Sequence, residues 1–476
     1  MADNGDELAF ASATEQAALI RQKKLSPVEL VDLYLRRIES LNPALNCFVL
    51  VAAEEALERA RKAEEALARR QGLPPFCGVP ISIKDVLSTA GVRTTRGSRA
   101  FLDEVPELDD NDVARLKAAG FIMLGKTNTP EFAIYPWTEP ELFGPTRNPW
   151  DTDLTPGGST GGGGAALAAG LCPASEGTDG GGSIRCPASC NGVFGIKPSR
   201  GRVSCAPRFG ELIAGFMGPG PLTRTVVDAA GILDVLSGYV TGDPYWAPVP
   251  GQSFAGDVGR DPGRLRVGLV TGSPLGGVHA DCVAAAEDAA ALLEELGHHV
   301  SQAELALTED YVRDFQTIWF ASLASTEVPD WSKTERKTRE QAELGRRTRA
   351  ADYLRALSAL QRSSRRLLSS WEEYDLLLTP TLAEPPFRIG TPERFPAAEM
   401  VEERFKFSPF TPVFNVTGQP AASLPLWWND AGLPIGVQLV GPPAGEAILL
   451  RVSSQLERAR PWQTRHPHLP HSPEMW

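Results

Sequence analysis

No stretch of the 476 residues stays apolar over the roughly 18 positions needed to cross a bilayer, so no membrane span is expected. Basic residues are the scarcer sign: 47 Lys and Arg stand against 59 Asp and Glu, a formal charge of −12. Phosphate recognition needs a basic excess on some face, so nucleic acid is not an expected partner. A polybasic membrane-surface protein is disfavoured for the same reason. Histidine is sparse, with six residues, all beyond position 278. No H-E-x-x-H or other ligand-spaced cluster occurs, so no metal and no cofactor is expected. The seven cysteines are odd in number and scattered. Cys186 and Cys190 are four apart, but no histidine or second pair lies near enough to complete a zinc pattern. They read as reduced, buried small hydrophobes. The acidic start, MADNGDELAF, lacks a charged-then-apolar leader, so a cytoplasmic protein is expected.

What is present is a globular composition, 42% hydrophobic and 22% charged. A chain this long buries enough surface to build a core without staples. Ser26-Pro27-Val28-Glu29 is a capping box with proline at the first helical position. Leu30, Val31, Tyr34, Ile38 and Leu41 follow it at helical spacing, and 51–70 predicts a second amphipathic helix. Short apolar runs at 78–86, 121–128, 265–272, 374–381 and 435–442 read as strands. They alternate with helical patterns at 111–120, 281–297 and 444–459, which argues for an α/β layered fold. Residues 305–372 are helical and heavily charged, either a lid over the site or a solvated face. The Pro/Gly-rich segment 240–262 either separates two lobes or forms one long surface loop, and 461–476 is a Pro/His-rich tail.

Two glycine clusters dominate the chemistry. The first, TPGGSTGGGGAALAAG (155–170), runs straight into a helix-like stretch, which weakens a linker reading. No lysine follows its glycines as a Walker loop needs, and NPWDTDLTP before it is too poor a strand for a dinucleotide fingerprint. In the second, Gly180, Gly181 and Gly182 precede Ser183. Consecutive glycines free backbone N–H groups to hold an oxyanion, and the serine is a candidate acyl-transfer nucleophile. No histidine sits in an activating motif, G-x-S-x-G is absent around Ser183, and Ser-x-x-Lys occurs nowhere. The remaining base is a lysine. Lys84 ends the apolar run VPISI, and burial lowers a lysine pKa until the neutral amine can accept a proton. The plainer reading pairs Lys84 with Asp85 or another carboxylate. Lys126 and Lys197 adjoin glycine turns and look more structural.

These segments resemble the amidase signature family of serine hydrolases. The resemblance rests on GVPISIKD (78–85), GKTNTPEF (125–132), TRNPW (146–150), the two glycine clusters and GIKPSRGRVS (195–204). It continues through PFTPVFNVTGQPAASLPL (409–426) and GLPIGVQLVGP (432–442), so it covers nearly the whole chain. It implies an amidase signature fold over 1–476, a mixed central β-sheet between layers of α-helices, with 305–372 as a helical lid or insert. It implies Ser183 as nucleophile, Ser159 as a bridging serine on a cis peptide, and Lys84 as base. The oxyanion donors map to the N–H groups of Gly180, Gly181, Gly182 and Ser183, and Asp179 and Arg185 map to residues that brace this loop. Thr160 stands for a usual second serine. Gly180 replaces a common Thr or Ile and is expected to widen the pocket. Tyr135, Trp137, Trp319 and Phe320 are candidates for pocket walls or for ordinary core aromatics. Among subfamilies the chain looks closest to bacterial hydrolases of aryl amides, nylon-type oligomers and urethanes. The expected substrate is a small amide, carbamate or ester, and the expected assembly a monomer or homodimer. The alternatives are a glutaminase subunit of a tRNA-dependent amidotransferase, and an inactive binding homologue that would lack Lys84, Ser159 or Ser183.

Overall fold

The computed structural model describes residues 2–69, 72–308 and 310–469; the end of the expected tail, 470–476, lies outside the described residues. Short runs of branched apolar residues between turns become strands. The first half supplies β1 (Phe48–Val51), β2 (Pro80–Lys84), β3 (Ile122–Thr127), β4 (Ala174–Asp179), β5 (Phe194–Lys197) and β6 (Gly218–Thr223). The second supplies β7 (Arg266–Leu269), β8 (His299–Gln302), β9 (Leu376–Pro380), β10 (Ala421–Trp428) and β11 (Pro434–Val440). They form one mixed sheet in the order β1-β3-β2-β4-β6-β5-β10-β11-β9-β7-β8. β2 runs parallel to β3 and β4, and β7 to β8 and β9; the other pairs are antiparallel.

β2, β3, β4, β9 and β11 are buried at every position, because helices cover both faces of the sheet. The helix Pro27–Leu45 begins where the capping box places it, with Ser26 Oγ accepting the N–H groups of Val28 and Glu29. Strands from both sides of 240–262 share the one sheet, joined where β5 pairs with β10 (Lys197 opposite Ala421). That segment is a loop with exposed Trp246 and Val249, ending at the single-turn helix Phe254–Asp257.

The charged segment 305–372 folds as the helices Tyr311–Ala324, Arg336–Arg346 and Ala350–Ser370. Their charges pair along solvent faces, as Arg336 does with Glu340. The opposite face of the first helix buries Phe315, Ile318, Trp319 and Phe320 in a second apolar cluster, which also takes in Met400 and Phe405 of the helix Met400–Phe407. Among the described residues no helix is long and apolar enough to cross a membrane.

Candidate active site

β2 and β4 are parallel neighbours, with Ser82 opposite Ser175 and Ile83 opposite Glu176. Their register brings Lys84 and Thr178 to the same carboxyl end of the sheet, the end where sites gather in open α/β folds. Lys84 is fully buried, its Nζ 2.7 Å from Ser159 Oγ and 3.0 Å from Thr178 Oγ1. Asp85 is not its partner, since that carboxylate accepts from the Thr95 N–H and hydroxyl. Burial pushes the Lys84 amine down to about 7, against a weaker pull upward from Asp179. At neutral pH much of it is therefore a free amine, able to take a proton. Lys126 is tied to Leu87 O, Thr89 Oγ1 and Thr94 Oγ1, and Lys197 Nζ donates to Pro198 O at 2.8 Å.

Ser159 follows a cis Gly158–Ser159 peptide and precedes the helix Gly161–Ala168. The glycines here serve close approach. A Cβ at Gly158 would lie 2.5 Å from Trp137 N, at Gly161 2.2 Å from Thr138 Oγ1, at Gly162 2.5 Å from Asn128 N, and at Gly163 2.3 Å from Ser175 Oγ. At Gly158 and Gly162 the atoms met are backbone and cannot swing aside, so a side chain there would have to displace the segment that carries Ser159.

The second glycine cluster turns directly out of β4. Ser183 is almost buried, and the Thr160 N–H donates to its carbonyl at 3.1 Å, which ties the two serine segments together. Among the described residues no hydrogen bond joins Ser159 Oγ to Ser183 Oγ. Such links commonly close only when substrate is bound. The four N–H groups expected to hold an oxyanion differ in their partners. Gly182 spends its N–H on Asp179 Oδ1 at 2.7 Å, whereas those of Gly180, Gly181 and Ser183 have no partner among the described residues. A Cβ on Gly180 would meet Ile213 Cδ1 at 3.3 Å and Met217 Cβ at 3.4 Å, a tight contact on the side away from the cavity-lining Gly181 and Gly182, so the glycine leaves these side chains room to pack.

Asp179 and Arg185 hold the turn from inside. Arg185 Nε and Nη2 donate to the two Asp179 oxygens at 2.9 and 2.8 Å, both side chains fully buried. Burial pushes the Asp179 carboxyl up, but the Arg185 charge and the hydrogen bonds from Arg185 and Asn415 outweigh it and hold the group well below the usual carboxylate range. Arg185 also donates to Asn415 Oδ1, Thr411 O and Gln438 Oε1. Thr178, Thr411, Asn415 and Gln438 lie in segments that carried the resemblance, but nothing in their local pattern singled them out.

Beside Ser183 is a cavity of about 30 Å³, room for roughly two waters, walled by Tyr135, Gly181, Gly182, Phe315, Trp319 and Arg404 among others. Tyr135 and Trp319 reach it. Trp137 and Phe320 do not, because Trp137 stacks behind Tyr135 at 5.1 Å and Phe320 is buried in the aromatic cluster at the Gly345 crossing. Among the described residues no group of three or more His, Cys, Asp or Glu side chains is placed to hold a metal ion.

Residues 29–450 match the family model described as Amidase. A putative amidase of Synechocystis sp. is 37% identical over 463 residues, 95% of this chain and 89% of that relative. The 6-aminohexanoate-cyclic-dimer hydrolase of Paenarthrobacter ureafaciens is 36% identical over 493 residues, covering 97% of each chain. The solved structure of 6-aminohexanoate cyclic dimer hydrolase complexed with substrate aligns with a TM-score of 0.90 at 34% identity, over 97% of this chain and 99% of that one. With a matching sheet, matching length and the serine–lysine geometry above, the chain belongs to the amidase family and is a hydrolase of amide bonds.

Proposed function

We propose that this hydrolase cleaves small amides, and carbamates and esters by the same acyl transfer, through a Lys84–Ser159–Ser183 proton relay. The observation that carries the reading is Lys84 Nζ at 2.7 Å from Ser159 Oγ in a site dry enough to leave the amine neutral near pH 7. Lys84 takes the Ser159 proton as Ser159 takes that of Ser183. Ser183 Oγ attacks the carbonyl carbon, and the N–H groups of Gly180, Gly181 and Ser183 receive the charge that develops on its oxygen. The C–N bond breaks as the proton returns through Ser159 to the leaving nitrogen. Water then attacks the acyl-enzyme along the same relay. Asp179 and Arg185 shape the turn and touch no substrate.

Tyr135, Phe315 and Trp319 favour an apolar or aryl group next to the reacting carbonyl. A glutaminase would also need a seat for an α-ammonium, and no carboxylate is among the residues lining the cavity. The set Lys84, Ser159 and Ser183 comes from one chain, so the relay itself needs no residue of a different subunit, and we propose a monomer or homodimer. We place it in the cytoplasm, where its seven cysteines, all free, remain thiols. The helices of 305–372 are our candidate for the part that yields to admit substrate, since Phe315 and Trp319 wall the cavity.

A panel of aryl anilides, linear amides, carbamates and p-nitrophenyl esters tests the proposal on wild type and Ser183→Ala. Wild type is expected to turn over at least the anilides, with a Ser183 acyl adduct visible by mass spectrometry. Ser183→Ala is expected to lose about 10⁴-fold or more in kcat. Undiminished turnover by Ser183→Ala overturns the mechanism.

A further inference from the structure

Arg404 has no role in this relay, yet it borders the same cavity as Ser183. It lies on the helix Met400–Phe407 and is 7% exposed. Its Nη2 donates to Gln341 Oε1 at 3.0 Å, while Nε and Nη1 are buried without an acceptor among the described residues. Its guanidinium carbon sits 4.8 Å from the Tyr135 ring and 5.2 Å from the Trp319 ring. Ring faces offset part of a cation's desolvation but leave directed N–H bonds unmade. The other buried arginines are satisfied. Arg185 pairs with Asp179, Arg202 with Glu446, and Arg224 donates to the carbonyls of Ala9, Ala11 and Cys172 among others. A buried guanidinium with idle donors and no anion is costly unless a ligand completes it.

We propose that Arg404 seats a carboxylate carried on the acyl half of the substrate, so that ω-carboxyacyl amides are the preferred class. The inference rests on the hydrolase reading above. The open space, about two waters' worth, is comparable to what the two oxygens of a carboxylate fill, and the chain that joins it to the reacting carbonyl enters as Phe315 and Trp319 of the helix Tyr311–Ala324 yield. An anion there pairs with a cation already stripped of water. The acyl half is assigned because the amine must depart before water attacks, whereas the acyl group stays on Ser183 beside this cavity.

The test compares kcat/KM for glutaryl p-nitroanilide, its methyl ester and pentanoyl p-nitroanilide in wild type, Arg404→Lys, Arg404→Met and Ser183→Ala. Wild type is expected to favour the glutaryl anilide over both neutral anilides by at least about tenfold. Arg404→Met is expected to abolish or invert that ratio, and Arg404→Lys to keep part of it. A wild-type ratio near one, or a ratio unchanged in Arg404→Met, overturns the seat. An equal gain from a carboxylate placed on the aniline ring overturns its acyl-side location. Ser183-dependent turnover of the neutral anilides sustains the hydrolase reading whichever way the ratio falls, and its absence from every anilide overturns both.

Discussion

Lys84 and Lys197 are both buried, and burial lowers both amines to about 7. Only Lys84 faces hydroxyls; Lys197 meets a backbone carbonyl, which has no proton to give. A lowered pKa is therefore not enough, and partner geometry is what sets the proposed base apart from Lys197. Lys84→Met is expected to lose about 10³-fold or more in kcat, while Lys197→Met stays within about tenfold of wild type; steady-state rates on one anilide check both. The sign of the pH dependence follows from the same amine. Below about 7 Lys84 is protonated and has no lone pair, and above it the amine is free. The kcat/KM profile is expected to climb toward about pH 7 and level off beyond it. A maximum near pH 6 with a falling alkaline limb contradicts a lysine base.

At the scale of single elements, the helix Gly161–Ala168 is the least ordinary. Four consecutive glycines are poor helix formers, and replacing an exposed helical glycine by alanine gains up to about 1 kcal/mol. Here contact reverses that sign. A Cβ at Gly162 would stand 2.5 Å from Asn128 N and 2.6 Å from Cys47 O, both backbone atoms that cannot swing aside. Gly162→Ala is expected to destabilise the protein by about 1–3 kcal/mol, the usual range for an overpacked core. Urea denaturation read by fluorescence measures it, and an unchanged midpoint would show that the helix tolerates displacement. Activity is expected to fall with it, because the same helix follows Ser159.

At the scale of the whole molecule, a single sheet binds the two halves of the chain. The loop 240–262 crosses the surface between β6 and β7, and Val249 is 91% exposed at its tip. Its neighbours are held by the β5–β10 pairing and a common apolar core, which also takes in Phe254 beyond the exposed stretch. Limited proteolysis is expected to cut near Val249 and leave two fragments that co-elute at the size of the intact protein and keep anilide hydrolysis. Fragments that separate on gel filtration without denaturant would mean two independent lobes.

The strands with continuous apolar runs, β2, β3, β7, β9 and β11, are legible from residue order, as is the capped helix Pro27–Leu45. β4 (ASEGTD) and β6 (GPGPLT) are not, because they are buried by their neighbours and by the glycine helix, without apolar content of their own. The sequence by itself determined the positions that carry a local signature: Lys84 at a strand end, and Ser159 and Ser183 inside glycine turns. Only the tertiary structure decided that Asn415 and Gln438 reach Arg185 across more than two hundred residues, that Gly182 spends its N–H on Asp179, and that Trp137 and Phe320 stand behind the cavity while Arg404 borders it. Periodicity and turn chemistry are properties of neighbouring residues. Which distant side chains meet depends on strand order and helix packing, which no short stretch of this chain encodes.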